Sequence, residues 1–147
     1  KAEALCDEYL CAVETCGASG PLLIGGKSMG GRVASLVAGD LYRQRRIVGL
    51  VCFGYPFHPP KKPAQLRTAH LSDFQCPTLI VQGEADPLGT RSEVESYSLS
   101  PAIQVQWIAG ADHDLAPNAG WALPKAEAHA QALHQAATAA ARFIAGL

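Results

Sequence analysis

A short apolar run, Leu22-Leu23-Ile24, leads without a break into Gly25-Gly26-Lys27-Ser28-Met29-Gly30-Gly31. This junction constrains the fold more than any other stretch. Three apolar residues bounded by Pro21 and glycines are too few for a helix and read as a buried strand. Residues 29–42 then carry Val33, Leu36, Val37 and Leu41 at the spacing of one helical face. The chain must therefore pass from strand to helix within a few residues, and two known devices do this with a glycine-rich turn. One is the phosphate-binding P-loop, suggested by Gly26-Lys27-Ser28. The other presents a serine nucleophile at the apex of the turn, suggested by Gly26-Lys27-Ser28-Met29-Gly30 read as G-x-S-x-G.

The P-loop needs glycine five places before Gly26, where this chain has Pro21, and it needs a polar cradle where Leu22, Leu23 and Ile24 stand. The nucleophile turn needs a serine in a strained conformation with small residues two before and two after it. Ser28 has Gly26 and Gly30 there, and Gly31 adds clearance for packing the helix on the strand. The helix starts at Met29, whose backbone N–H is then an oxyanion donor at a helix N-terminus. The plain alternative is a turn that only requires small residues.

Three more apolar runs follow, Ile47–Phe53, Pro77–Gln82 and Ile103–Ile108, each read as a strand. Residues 3–16 form a helix with Leu5, Cys6, Tyr9, Leu10 and Val13 on one side, stopped by Gly17. A short helix is expected over residues 90–98. A last helix has Pro124 in its first turn and an inner stripe of Ala126, Ala130, Leu133, Ala137, Ala140 and Ile144. The Pro-rich GYPFHPPKKP segment suits no regular element. Strands that are apolar throughout and alternate with helices argue for an α/β fold, with a parallel sheet covered on both faces. The 147 residues suffice for one domain.

Composition narrows the function. A net charge of −1 leaves no basic surplus for nucleic acid. No apolar run approaches the roughly 20 residues that span a bilayer. The five cysteines, Cys6, Cys11, Cys16, Cys52 and Cys76, form no C-x-x-C pair and read as reduced thiols of a cytoplasmic protein, the first three as core or half-buried groups. His129 and His134, five apart, do not make a metal pair. No metal or organic cofactor is expected.

If Ser28 is a nucleophile, an acid and then a histidine should follow, each just beyond a strand. Asp86 follows the third strand in Gly83-Glu84-Ala85-Asp86-Pro87, and His113 follows the fourth in Gly110-Ala111-Asp112-His113-Asp114. Glu84, Asp112 and Asp114 are rival carboxylates, and Asp86 is preferred because it lies where the chain can turn back toward the histidine. Taken singly, Asp86 is a turn former and His113 a loop residue; in this order they form a Ser28–His113–Asp86 triad. Lys27 and Arg32 are assigned to pairing with carboxylates. His58, Arg67 and His70 are assigned to an ordinary loop, and Trp107 and Trp121 to packing.

The segments GGKSMGGRVA, GYPFHPPKKPAQLRTAHL, PTLIVQGEADPLGT and GADHDL together resemble bacterial alpha/beta-hydrolase-fold proteins related to dienelactone hydrolases. More narrowly, they resemble the group that includes the testis-expressed and non-specific-lethal-complex regulatory-subunit relatives in animals. The resemblance runs from about Gly20 to the end. The leading reading is a serine hydrolase of a small ester or thioester, with an open site because residues 54–75 are too few for a cap domain, and the resemblance implies Ser28, Asp86 and His113 as catalytic residues. It also implies an alternative, a non-catalytic binding or scaffold protein, because some animal relatives act as complex subunits. The four strands are expected to be the C-terminal half of the family's sheet. The N-terminal strands, and with them the second oxyanion donor, are not seen before Ser28. The Leu22–Ile24 strand then becomes an exposed edge. The chain is therefore expected either to be part of a longer protein or to form a homodimer through that edge, and in a monomer the edge must be covered.

Overall fold

The computed structural model describes residues 1–117 and 123–147; the expectation for Trp121 lies outside them. A 3-10 turn over Ala2–Leu5 leads into α1 (Cys6–Thr15), followed by β1 (Leu23–Lys27), α2 (Met29–Arg43), β2 (Gly49–Phe53), β3 (Thr78–Gly83), a single turn α3 (Arg91–Val94), β4 (Ile103–Ile108) and α4 (Lys125–Ala145). The strands form one sheet in the order β1-β2-β3-β4, every neighbouring pair parallel. β1 continues through Gly25, Gly26 and Lys27 to the residue before Ser28. The would-be phosphate loop is thus extended strand, which removes the P-loop reading.

The period of two along the strands divides the core between the two faces. Leu50, Cys52 and Ile80 pack with Val37, Ala38 and Leu41 of α2, and Cys6, Tyr9, Leu10 and Val13 of α1 add to that side as expected. Val51, Leu79 and Val81 pack on the opposite face with Ala132 and Ala136 of α4. Here the expected inner stripe holds only at Ala140, which packs against this cluster. Ala128, Ala132 and Ala136 are the buried residues of α4, whereas Leu133 and Ile144 are about half exposed. In an alanine-rich helix several faces are equally able to touch a sheet, and the smallest side chains allow the closest approach. Pro124 is the N-cap rather than a first-turn residue. The 90–98 helix shrinks to one turn, closed by a capping box between Thr90 and Glu93.

β1 is indeed the edge of the sheet. Val48 donates to the Leu22 carbonyl and Ser28 to the Phe53 carbonyl, so even-numbered residues turn toward β2 and Leu23, Gly25 and Lys27 turn outward. The Tyr9 hydroxyl donates to the Gly25 carbonyl at 2.9 Å and accepts from the Gly25 N–H at 3.2 Å. One α1 side chain thus satisfies the central pair of edge groups.

The Pro-rich segment is irregular yet far from a loose surface loop. Tyr55 and Phe57 are fully buried, their rings 4.9 Å apart at 61°. His58 is buried too, with Nδ1–H donating to the Pro59 carbonyl and Nε2 standing 3.6 Å from Glu93, so it is no ordinary exposed loop histidine. Cys11 and Cys16 are exposed, against the expectation of core thiols, because α1 presents only one side to α2; all five cysteines are free.

Candidate active site

Ser28 has φ 52° and ψ −119°, outside the regions open to ordinary L-residues. Its backbone is held by its own N–H to the Phe53 carbonyl at 2.9 Å and by its carbonyl, which accepts from the Arg32 N–H at 3.1 Å. The turn is tight because α2 lies directly on β1. A Cβ on Gly26 would come within 2.6–2.9 Å of the Gly30 and Gly31 backbone, and one on Gly31 within 2.7 Å of the Gly26 carbonyl oxygen and 3.2 Å of Cys52. Gly30 behaves differently from expectation. A Cβ there would meet nothing within 4 Å, so the close packing is between positions 26 and 31.

The structure brings Ser28, His113 and Asp86 together from the ends of β1, β4 and β3. His113 Nε2 lies 2.8 Å from Ser28 Oγ, and His113 Nδ1 lies 2.8 Å from Asp86 Oδ2. A carboxylate can only accept, so the ring proton sits on Nδ1 and Nε2 accepts the Ser28 hydroxyl hydrogen. Asp86 is fully buried. Its Oδ1 accepts from the Leu88 N–H at 2.8 Å, and its Oδ2 accepts from Gln82 Nε2 at 2.8 Å as well as from His113. A buried carboxylate without such donors would be far too costly to keep ionised. Gly54, at φ 59°, lets the backbone pass against His113; a Cβ there would sit 2.6 Å from the His113 carbonyl oxygen.

The rival carboxylates are all engaged elsewhere. Glu84 accepts from Arg91 at 2.7 Å and from the Gly110 N–H, which together hold its carboxyl below the usual range. Asp112 Oδ1 accepts from the N–H groups of Asp114 and Ala116, shaping the loop that carries His113. Asp114 pairs with Lys27 at 2.5 Å, which lowers its pKa. Arg32 pairs with Glu3 at 2.5 Å. Both basic residues thus pair with carboxylates as expected.

Sequence reading missed three residues. Gln82 is fully buried; its Oε1 accepts from the Tyr55 N–H at 2.7 Å while Nε2 reaches Asp86. A glutamine closing the apolar run Pro77–Gln82 was the available signal. Arg67 lines a cleft of about 460 Å³ together with Ser28, Met29 and Arg32. His70 touches the Ser35 hydroxyl at 2.9 Å. Neither Arg67 nor His70 is the idle loop residue that was expected. Trp107, partly buried, packs against the core as expected, with the Arg91 guanidinium 5.9 Å from its ring. Met29 begins α2, where the first N–H groups have no intrahelical acceptor. Among the described residues no cluster of three metal-ligating side chains occurs, and no helix is long and apolar enough to cross a membrane.

Solved structures share this architecture. It is similar to an alpha-beta serine hydrolase homologue from Coxiella burnetii, with TM-score 0.55 and 22% identity over 73% of this chain and 48% of that one. A lidless serine hydrolase from Xanthomonas campestris gives TM-score 0.58 and 20% identity over 76% of this chain and 49% of its own. A serine hydrolase involved in carbazole degradation gives TM-score 0.68 and 13% identity over 100% of this chain and 72% of its own. The chain spans about half the length of the first two, and at these identities the likeness speaks for the fold alone. The family model for the alpha/beta hydrolase domain matches residues 1–145, and the chain belongs to that family.

Proposed function

We propose that this chain is a serine hydrolase that cleaves a small ester or thioester through an acyl-enzyme intermediate. The observation that carries the reading is the unbroken hydrogen-bond line from Asp86 through His113 to Ser28. A side chain splayed away from that line would have favoured the non-catalytic alternative. In the reading, His113 Nε2 takes the Ser28 proton as Oγ bonds to the substrate carbonyl carbon. The Met29 N–H faces the oxygen that becomes negative, and the dipole of α2 favours that charge. The tetrahedral intermediate collapses, the carbonyl–leaving-group bond breaks, and His113 passes its proton to the departing alkoxide or thiolate. Water, deprotonated by His113, then attacks the acyl-serine; the proton returns to Ser28 and the acid is released. Asp86 keeps the imidazole proton on Nδ1 and stabilises the imidazolium.

The test is labelling with a fluorophosphonate probe, read by mass spectrometry. Adduct on Ser28 that weakens in His113→Ala supports the reading; a wild-type protein unlabelled at Ser28 overturns it. The narrower resemblance to dienelactone-hydrolase relatives agrees with a small substrate. Leu23 and Lys27 turn backbone groups outward on either side of the Tyr9 contact, and a second copy pairing along β1 would use them. Light scattering on the purified chain tests that homodimer. Five free thiols support a reducing, cytoplasmic setting.

A further inference from the structure

Two guanidinium groups share the cleft beside Ser28, and they are placed where a substrate would lie. Arg32 is four residues after Ser28, one turn along α2. The Arg32 N–H donates to the Ser28 carbonyl one turn back, and both residues line the same cleft. Its side chain is only 15% exposed, and its buried Nε–H has no partner among the described residues. Arg67 enters the same cleft from the Pro-rich segment; its backbone N–H is tied to the Phe57 carbonyl, while its guanidinium pairs with no described residue. Glu3 pairs with one of the two arginines, and Arg67 is left lining the cleft as a cation that an anion would relieve.

Glu3 displays the chemistry. Its carboxylate lines this cleft, is 57% exposed, and already sits 2.5 Å from Arg32 Nη2. The cleft therefore accepts a carboxylate at the guanidinium fork, the geometry for which arginine is suited. Met29 and Leu66, both about half exposed, supply apolar wall beside it.

We infer that Arg67 and Arg32 form a carboxylate subsite next to Ser28, and that the ester cleaved there carries a carboxylate in its acid half, a few bonds from the scissile carbonyl. The subsite stands on its own geometry, while its role in specificity rests on the hydrolase reading. The acid half is chosen because the acyl carbon bonded to Ser28 sits at the first turn of α2, one turn from Arg32, and stays there after the alcohol leaves.

The experiment has a kinetic arm and a binding arm. The first compares 4-nitrophenyl hemisuccinate with 4-nitrophenyl butyrate, which have acyl chains of similar size. A preference for hemisuccinate of roughly tenfold to a hundredfold in kcat/KM is expected, the range of one charge-assisted hydrogen bond. Arg67→Gln should erase most of that ratio, read as hemisuccinate over butyrate within the same variant, and Glu3→Gln, which removes the competing carboxylate, should enlarge it. Butyrate cleaved as well as hemisuccinate, or a preference untouched by Arg67→Gln, overturns the inference. The second arm titrates succinate into the Ser28→Ala protein and follows amide and guanidinium resonances. Saturable binding weakened by Arg67→Gln is expected, and no saturable shift overturns the subsite. If neither ester is turned over but succinate binds through Arg67, the hydrolase reading fails and the subsite stands.

Discussion

Two serine–histidine pairs stand along α2, seven residues apart, with nearly the same separation. Ser28 Oγ is 2.8 Å from His113 Nε2, and Ser35 Oγ is 2.9 Å from His70 Nε2. Their protons run in opposite directions. The Asp86 carboxylate holds the His113 proton on Nδ1, so His113 accepts from Ser28. The Ser35 hydroxyl instead donates to the Arg32 carbonyl at 2.7 Å, leaving its oxygen to accept from His70 Nε2–H and from the Tyr55 phenol at 3.0 Å. Ser35 is buried in the middle of the helix, whereas Ser28 lines the cleft from a strained turn. A short serine–histidine distance thus does not by itself make a nucleophile. The carboxylate behind the ring and an open path to the hydroxyl separate the two.

The largest expected effect tests this contrast. Ser28→Ala should abolish fluorophosphonate labelling, and Asp86→Asn, which permits the other tautomer, should slow it by roughly 10³–10⁴-fold. Ser35→Ala should leave the labelling rate within about threefold and cost roughly 1–3 kcal/mol in urea unfolding, because it takes the acceptor from the buried Tyr55 hydroxyl. Label found on Ser35 would break the comparison.

Gln82 is expected to matter next. Gln82→Leu removes one donor from Asp86 and leaves the Tyr55 N–H unpaired in the core. It should slow labelling by about 10- to 100-fold, on the scale seen for groups that orient a ligating or reacting side chain. It should also destabilise the fold by roughly 1–3 kcal/mol. A Gln82→Leu protein labelled at the wild-type rate would show that Leu88 and His113 alone hold the carboxylate.

The glycines of the elbow offer a sharper, purely structural test. Gly31→Ala drives a Cβ into the Gly26 carbonyl and should cost roughly 1–3 kcal/mol while slowing labelling. Gly30→Ala, one residue earlier, meets open space in a helix and should stabilise by about 0.4–1 kcal/mol. Equal effects at the two positions would contradict the asymmetry of the turn.

The smallest effect concerns His70. Burial lowers its pKa below the usual 6.5, Arg32 adds to the shift, and Glu3 opposes it. The folded protein therefore holds His70 neutral where the unfolded chain would bind a proton. The stability this contributes is present above the unfolded pKa and is lost as pH falls through about 6.5 toward the lower folded value. Between pH 7 and 5, the melting temperature of His70→Gln should decline less steeply than that of the wild type. An equal decline would remove His70 from the account.

Much of this molecule is legible in local pattern. Leu22-Leu23-Ile24 before a glycine-flanked Ser28 is a strand meeting a turn, because three apolar residues cannot make a helix and a strained apex leaves little room. Asp86 and His113 were found by their order and by their position just beyond apolar runs. The face of α4 was not legible. Ala126 and Ala128 have the same chemistry, and only the sheet beneath decides which one is covered. Gln82, Arg67 and His70 were unreadable for a related reason, since each takes its role from groups distant in sequence. Local pattern places the strands, the turns and the three triad candidates along the chain, because steric and hydrophobic periodicity act over a few residues. Which carboxylate stands behind His113, and which serine faces a histidine that can accept its proton, follow from the folded sheet alone, because they depend on contacts between residues 27 and 85 positions apart.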